Sequence, residues 1–346
     1  MFKHSQYVPI LKWKQGERIA IRHLREDIKD KLCPVFMVLP NNEAENFIQE
    51  VIHEWGENRA FYMDFHSSFS DFIEQNTFIS SLLSGDQKIA PIPIVSPNKN
   101  EEYFEIIKDS FSMLDHGIAI RLTIQDFDDA VSVITDILDQ TGNLSNQSID
   151  LIIDLGQILL PTDVIKSFAS VVNDLLSKVS VFKFRRTIVC GSSFPESLSV
   201  RQGKISSILR IEWAVWKEVI KKFPDTEFGD YGADDPKDPT IDHVVTMVPT
   251  IRYTHDESWY IVRGTYDRRA PYDYAQFHKL SKILIAQDAI YCGKDFSNGD
   301  LRIFECANKT CSVTKCNHGN LSTWVQIAVN HHLTYVALQA SSSASS

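Results

Sequence analysis

Lys12, Asp64, Arg121, Asp154 and Asp230 each set a charge where a run of apolar residues stops. An ionised group in that place is costly unless it is paired or meets a ligand. Carboxylates and cations gathered this way could carry acid–base chemistry, hold a divalent ion or grip an anion. The candidate catalytic residues are therefore Asp64, Asp154 and Asp230. The candidate ligand-binding residues are Lys12, Arg121 and Tyr231, with Arg252 and Arg263 from a later segment; no metal site is assigned and the cofactor is left open. Lys14, His66, Ser96, Ser192 and Ser193 also follow apolar runs. Simpler roles compete, because an Asp at a strand end often caps a helix, and Lys12–Asp230 or Arg121–Asp154 could be structural ion pairs. For Asp230 the expectation is specific: a cleft shared with Lys12 and Arg121, with Gly229 and Gly232 letting the backbone turn. The acids that follow, Asp234, Asp235 and Asp238, fit no EF-hand register and are interrupted by Pro236 and Pro239, which reads as a solvated acidic loop.

Short apolar runs positioned before these charges alternate with segments of helical period. The runs are 7–11, 35–39, 60–64, 90–95, 118–122, 150–154, 187–190 and 226–230, mostly apolar on both faces as a covered parallel sheet requires. Between them, Phe104, Ile107, Phe111 and Leu114, then Phe127, Val131, Ile134 and Leu138, then Ile165, Phe168, Val172 and Leu175, recur at steps of three and four. Asn41–Asn42, Asn100 and Pro161–Asp163 mark helix starts. This order predicts an α/β fold, a closed (β/α)8 barrel of the TIM type, with a doubly wound open sheet as the alternative. In such a barrel the chemistry sits at the C-terminal ends of the strands, which is where the charges lie. The regularity then breaks. A hairpin insertion after strand eight, about 243–264, is expected from residues 244–248 and 259–262. It carries Arg252, Tyr253, Trp259 and Arg263 and could fold over the mouth as a lid. A helix at 274–288 is the candidate eighth barrel helix. The division is thus 1–290 for the barrel with its hairpin, 291–339 for a helical C-terminal extension, and 340–346 for a disordered Ser/Ala tail.

An apolar content of 43% in 346 residues is ample for a core of this size. The net charge of -10 argues against non-specific nucleic-acid binding, which rests on Lys and Arg neutralising phosphates. With no signal-peptide pattern and no apolar run of ~18 residues, the chain is expected to be cytoplasmic and without a membrane partner. Cys33, Cys190 and Cys292 read as small buried hydrophobes. Cys306, Cys311, Cys316 and His318 offer zinc ligands but lack the tight C-x2-C knuckle, so at least one is expected to point away. His331 and His332 are adjacent on a helix and face about 100° apart. One capping and one exposed histidine is the expectation there. No G-x-G-x-x-G, P-loop, G-x-S-x-G, H-E-x-x-H or C-x-x-C motif is present, so the enzyme classes built on them gain no support.

The stretches "YVPILKWKQGE", "FGDYGADDP", "IRYTHDESWYIVRG" and "GNLSTWVQIAVNHHLTYV" give the chain a further identity. In that order it resembles the "beta protein" family of bacteria and bacteriophages. The resemblance spans almost the whole chain. It implies a barrel, a setting in phages and mobile or defence-related loci, and family positions at Lys12, Asp230, Tyr231, Arg252, Arg263 and His332. The cysteine cluster lies outside the matching stretches. Two functions are carried forward. One is a hydrolase or phosphodiesterase-like enzyme acting on a phosphorylated or nucleotide-like molecule, with Lys12 and Arg121 on the anion. The other is a catalytically silent barrel that binds a partner protein or senses a ligand in phage–host conflict.

Overall fold

The computed structural model describes residues 7–84, 88–111, 114, 116–142, 148–195, 198, 200, 202–232, 248–269, 273–309 and 318–343. Eight strands close into a parallel barrel. In chain order they are β1 (Tyr7–Lys12), β2 (Val35–Val38), β3 (Ala60–Phe65), β4 (Ala90–Val95), β5 (Ile118–Thr123), β6 (Ile149–Gln157), β7 (Arg186–Ser192) and, after one strand outside the barrel, β9 (Glu227–Asp230). Closure is made by β9 lying between β7 and β1, with Tyr7 beside Phe228 and Val8 beside Gly229. The closed barrel is thereby established and the open sheet excluded.

The helices are α1 (Gln15–Arg22), α2 (Glu26–Lys29), α3 (Ala44–Glu54), α4 (Phe72–Leu83), α5 (Glu101–Ser110), α6 (Ala130–Gln140), α7 (Ile165–Val179), α8 (Ile211–Val219), α9 (Gln276–Ile285), α10 (Asn298–Asn308) and α11 (Leu321–Ser343). Caps set their starts: Asp71 accepts from the amides of Ile73 and Glu74, and Asn100 from that of Tyr103. Their apolar stripes bury against the outward residues of the strands, as Ile107, Ile134, Val172 and Leu175 do in one continuous core with Tyr7, Phe36, Phe61 and Phe228. Each side chain of that size contributes roughly 1.5–3 kcal/mol by leaving water. Alternation sends the other residues inward, where Val8, Ile10, Val35, Tyr62, Ile92, Ile152 and Cys190 fill the barrel. Gly229 has no room for a side chain: a Cβ there would sit 2.6 Å from the Cys190 Cβ and 2.8 Å from the Val8 carbonyl oxygen.

Two features differ from the sequence reading. The hairpin forms from β10 (Thr250–His255) and β11 (Ser258–Arg263), but it recruits β8 (Ile205–Leu209), from the β7–α8 connection, into a three-stranded antiparallel sheet. The half-polar run "ISSIL" gave no sign of this pairing. Most of the expected strand at 244–248, like Asp234, Asp235 and Asp238, lies outside the described residues. Second, the segment at 274–288 does not become the eighth barrel helix. Its helix α9 packs with β10, α10 and Trp324 in a separate core. The eighth place goes to α11, which lies along α1 and β1 and sends Val329, Leu333, Val336 and Ala340 into the barrel's outer core. That helix runs on to Ser343, with Ala340 buried, past the point where the tail was expected to begin.

Candidate functional site

At the C-terminal rim of the barrel, Arg121 on β5 joins two carboxylates from opposite directions. Its Nη1 donates to Asp64 Oδ2 at 2.7 Å, and its Nη2 to Asp154 Oδ2 at 2.5 Å with Nε at 3.1 Å from the same oxygen. Tyr231, just past β9, donates its hydroxyl to Asp154 Oδ2 at 2.6 Å while its oxygen accepts from Arg121 Nη2 at 2.8 Å. Lys99, in the loop between β4 and α5, completes the set with 2.9 Å to Asp64 Oδ1. The backbone holds the acids as well: the Phe65 amide donates to Asp64 and the Gly156 amide to Asp154. Lys12 is buried at the end of β1, in register with Met37, which is itself in register with Asp64.

The surroundings set the charge of Asp64 and of Tyr231. Burial pushes the Asp64 carboxyl up, but Lys99 and Arg121 outweigh it and hold the group below its ordinary value. Burial and Asp154 push the Tyr231 hydroxyl well above the usual range despite Arg121, so it remains a phenol and a donor. Lys99 and Arg121 thus stand against the two acids Asp64 and Asp154. Arg121 keeps 14% of its side chain exposed, against 6% for Asp64 and 4% for Asp154. The Arg121 side chain is thus more open to solvent than either acid it bridges.

Asp230 is not in this cluster. Neighbouring residues on a strand point to opposite sides, and Tyr231 has taken the inward one. Asp230 points out of the barrel and is 1% exposed. Tyr7 donates its hydroxyl to Oδ1 at 2.7 Å, His332 Nε2 lies 3.0 Å from Oδ2, the Gly232 amide donates at 3.0 Å, and Arg210 Nη2 stands 3.5 Å away. The expected cleft with Lys12 and Arg121 is therefore corrected, as is a Lys12–Asp230 pair. Burial pushes the Asp230 carboxyl up, and its contacts with His332, Arg210 and Tyr7 bring it below its ordinary value. Burial lowers the His332 ring against the pull of Asp230. A neutral ring donates from Nε2 to Asp230 and accepts at Nδ1 from the Thr254 hydroxyl, 2.8 Å away. His332 stacks on Trp259 at 4.7 Å, and the Arg210 guanidinium lies over Trp213, Phe228 and Trp259. Glu212 faces Arg210 and accepts from the Ser193 amide and hydroxyl; burial pushes its carboxyl up to about 7 against their pull.

The adjacent His331 forms its own pair, Nδ1 to Asp300 Oδ2 at 2.8 Å and Nε2 to the Thr254 carbonyl at 2.7 Å. Both histidines are fully buried, which overturns the expectation of an exposed one. Arg263 donates to the Leu198 carbonyl, and Arg252 lies over the Phe194 ring at 4.7 Å; these contacts tie the β7–β8 connection to the hairpin. His66 hydrogen-bonds Ser68, and Ser96 bonds Asn98. Of the cysteine cluster, Cys306 is buried and His318 bonds the Gly319 carbonyl, while Cys311 and Cys316 lie outside the described residues. Among the described residues no group of three or more His, Cys, Asp and Glu is gathered to hold a metal ion. Sequence reasoning missed Lys99 because it sits past the strand end in "SPNKNEE". It also missed Arg210 and Glu212, although a charged pair inside the apolar run "ILRIEWAVW" is the signal that would have found them.

A family model described as Beta protein matches residues 7–338. No curated protein matches the chain.

Proposed function

This chain belongs to the Beta protein family, and we propose that its barrel mouth binds a small phosphorylated molecule or nucleotide. The observation that carries this reading is Arg121, bridging Asp64 and Asp154 at the rim, with Lys99 on Asp64 and Lys12 at the end of β1. A partly exposed guanidinium with a lysine beside it suits a phosphate group, two of whose oxygens a planar guanidinium can meet at once. Anion entry would exchange part of the Arg121–carboxylate contact for a contact of the same strength. Hydrolysis fits less well, because Asp64 is held as an ionised, doubly paired carboxylate and Tyr231 as a phenol. A general base working near neutrality needs a group poised to change its charge. We therefore favour a sensing or binding barrel over a phosphodiesterase, with phage–host conflict as the setting that the family resemblance suggests. The cytoplasm is the compartment we assign. No described helix is long and apolar enough to cross a membrane, and Cys33, Cys190, Cys292 and Cys306 are free thiols.

Calorimetric titration with inorganic pyrophosphate and with AMP tests the reading. We expect a dissociation constant tighter than about 1 mM for at least one of them, weakened at least about tenfold in Lys99→Met and in Lys12→Met, one charged contact each. Failure of both anions to bind, or binding indifferent to both substitutions, would overturn it.

A further inference from the structure

Asp230 lies on the far side of the barrel wall from the mouth, yet it is the residue next to Tyr231. Its Oδ1 accepts the amide of Gly232, two residues on, so the carboxylate folds a turn whose central residue is Tyr231. Gly232 itself has φ +64, the left-handed conformation that closes such a turn at low cost in glycine alone. The turn is anchored from outside by the Tyr7 hydroxyl at 2.7 Å, His332 at 3.0 Å and Arg210 at 3.5 Å, each of them fully buried. From this anchored backbone the Tyr231 hydroxyl reaches Asp154 at 2.6 Å and Arg121 at 2.8 Å. We propose that Asp230 is a positioning residue for the mouth: it acts through the turn it folds, setting the Tyr231 hydroxyl between Asp154 and Arg121, and so the direction in which Arg121 faces an anion.

The proposal rests on the mouth being a ligand site, and the conservative variant separates it from a plain packing role. Asn at position 230 keeps an oxygen for the Gly232 amide and the Tyr7 hydroxyl, whereas Ala removes it. Full-length protein is labelled with 3-fluorotyrosine, and the fluorine resonance of Tyr231 is assigned by its loss in Tyr231→Phe. Asp230→Ala is expected to displace the Tyr231 resonance, as Asp154→Asn does, while those of buried Tyr62 and Tyr103 stay in place. Asp230→Asn is expected to return it close to its wild-type position. Pyrophosphate affinity should fall about fivefold in Asp230→Ala, as for the loss of one hydrogen bond, and recover in Asp230→Asn. Should Asp230→Ala not fold, Tyr7→Phe decides, since it removes one donor to Asp230 and keeps the ring stacked on Phe228 at 5.9 Å. A folded variant of either kind with an unmoved Tyr231 resonance overturns the proposal. Absence of pyrophosphate binding by the wild type would instead overturn the ligand reading, and the resonance test would still decide the positioning role.

Discussion

The barrel wall divides two charged clusters, each built around two carboxylates, an arginine and a tyrosine. On the inner side Asp64, Asp154, Arg121 and Tyr231 meet at the rim; on the outer side Asp230, Glu212, Arg210 and Tyr7 meet beneath α11 and the three-stranded sheet. They differ in what closes over them. Arg121 keeps part of its side chain exposed, whereas Arg210 is enclosed by Trp213, Phe228 and Trp259 with none of its side chain exposed. The ligand exchange proposed for the inner cluster would therefore, in the outer one, require the fold to open. Sealed charge of that kind adds little net stability against apolar packing, but it penalises every misplacement of α11 or the hairpin. A charge at a strand end is thus a site candidate only on the inward parity.

The largest effect is expected at Arg210. Arg210→Met strands Asp230 and Glu212 without their cation in a sealed space, and should lower unfolding free energy by roughly 3–5 kcal/mol in urea titration. A loss below about 1 kcal/mol would mean that the outer cluster is not sealed. Arg121→Met should cost less, roughly 1–3 kcal/mol, because water can reach the rim acids, yet it should abolish pyrophosphate binding. The pair of variants sharpens the comparison: stability fails on the outside, binding on the inside. An intermediate effect is expected from pH. The Glu212 carboxyl is raised from 4.5 to about 7, so the native state binds the proton more tightly than the unfolded chain. Its contribution to stability is present below about 4.5 and is lost as pH rises through about 7. Relative to wild type, Glu212→Gln should then gain about 3 kcal/mol between pH 4.5 and pH 8; parallel curves would place Glu212 in a wetter setting. His332, lowered by burial, acts in the other direction, costing stability as pH falls below 6.5, and it cancels in this difference. The smallest effect belongs to Lys99→Met, about 1 kcal/mol in thermal unfolding, since Arg121 still holds Asp64.

The barrel was legible because its strands are apolar on both faces and its helices keep their period, and both signals are local. The inner cluster was legible for the same reason: Asp64, Arg121 and Asp154 interrupt those runs. Asp230 interrupts one too, but its neighbour Tyr231 is just as able to face inward. Only the register of β9 between β7 and β1 decides which does. Lys99 lies on a loop whose reach depends on how α5 sits. The pairing of β8 with β11, and of His332 with Asp230, joins segments far apart in sequence that carry no mark of each other. The replacement of the expected eighth helix by α11 has the same origin. Both candidates are apolar enough, and the choice depends on the room left beside α1.

That replacement bears on how the protein is made. The staves of the barrel and the covering helices α1–α8 are synthesised in order, but the last cover comes only after the hairpin, α9 and α10. Until then the groove beside α1 that will take Val329, Leu333 and Val336 is bare, and Tyr7 waits with Asp230 for His332. Exposed apolar surface on a growing chain is what chaperones recognise and what drives aggregation. During translation the vulnerable interval for this barrel is therefore its end, between the emergence of β9 and that of α11.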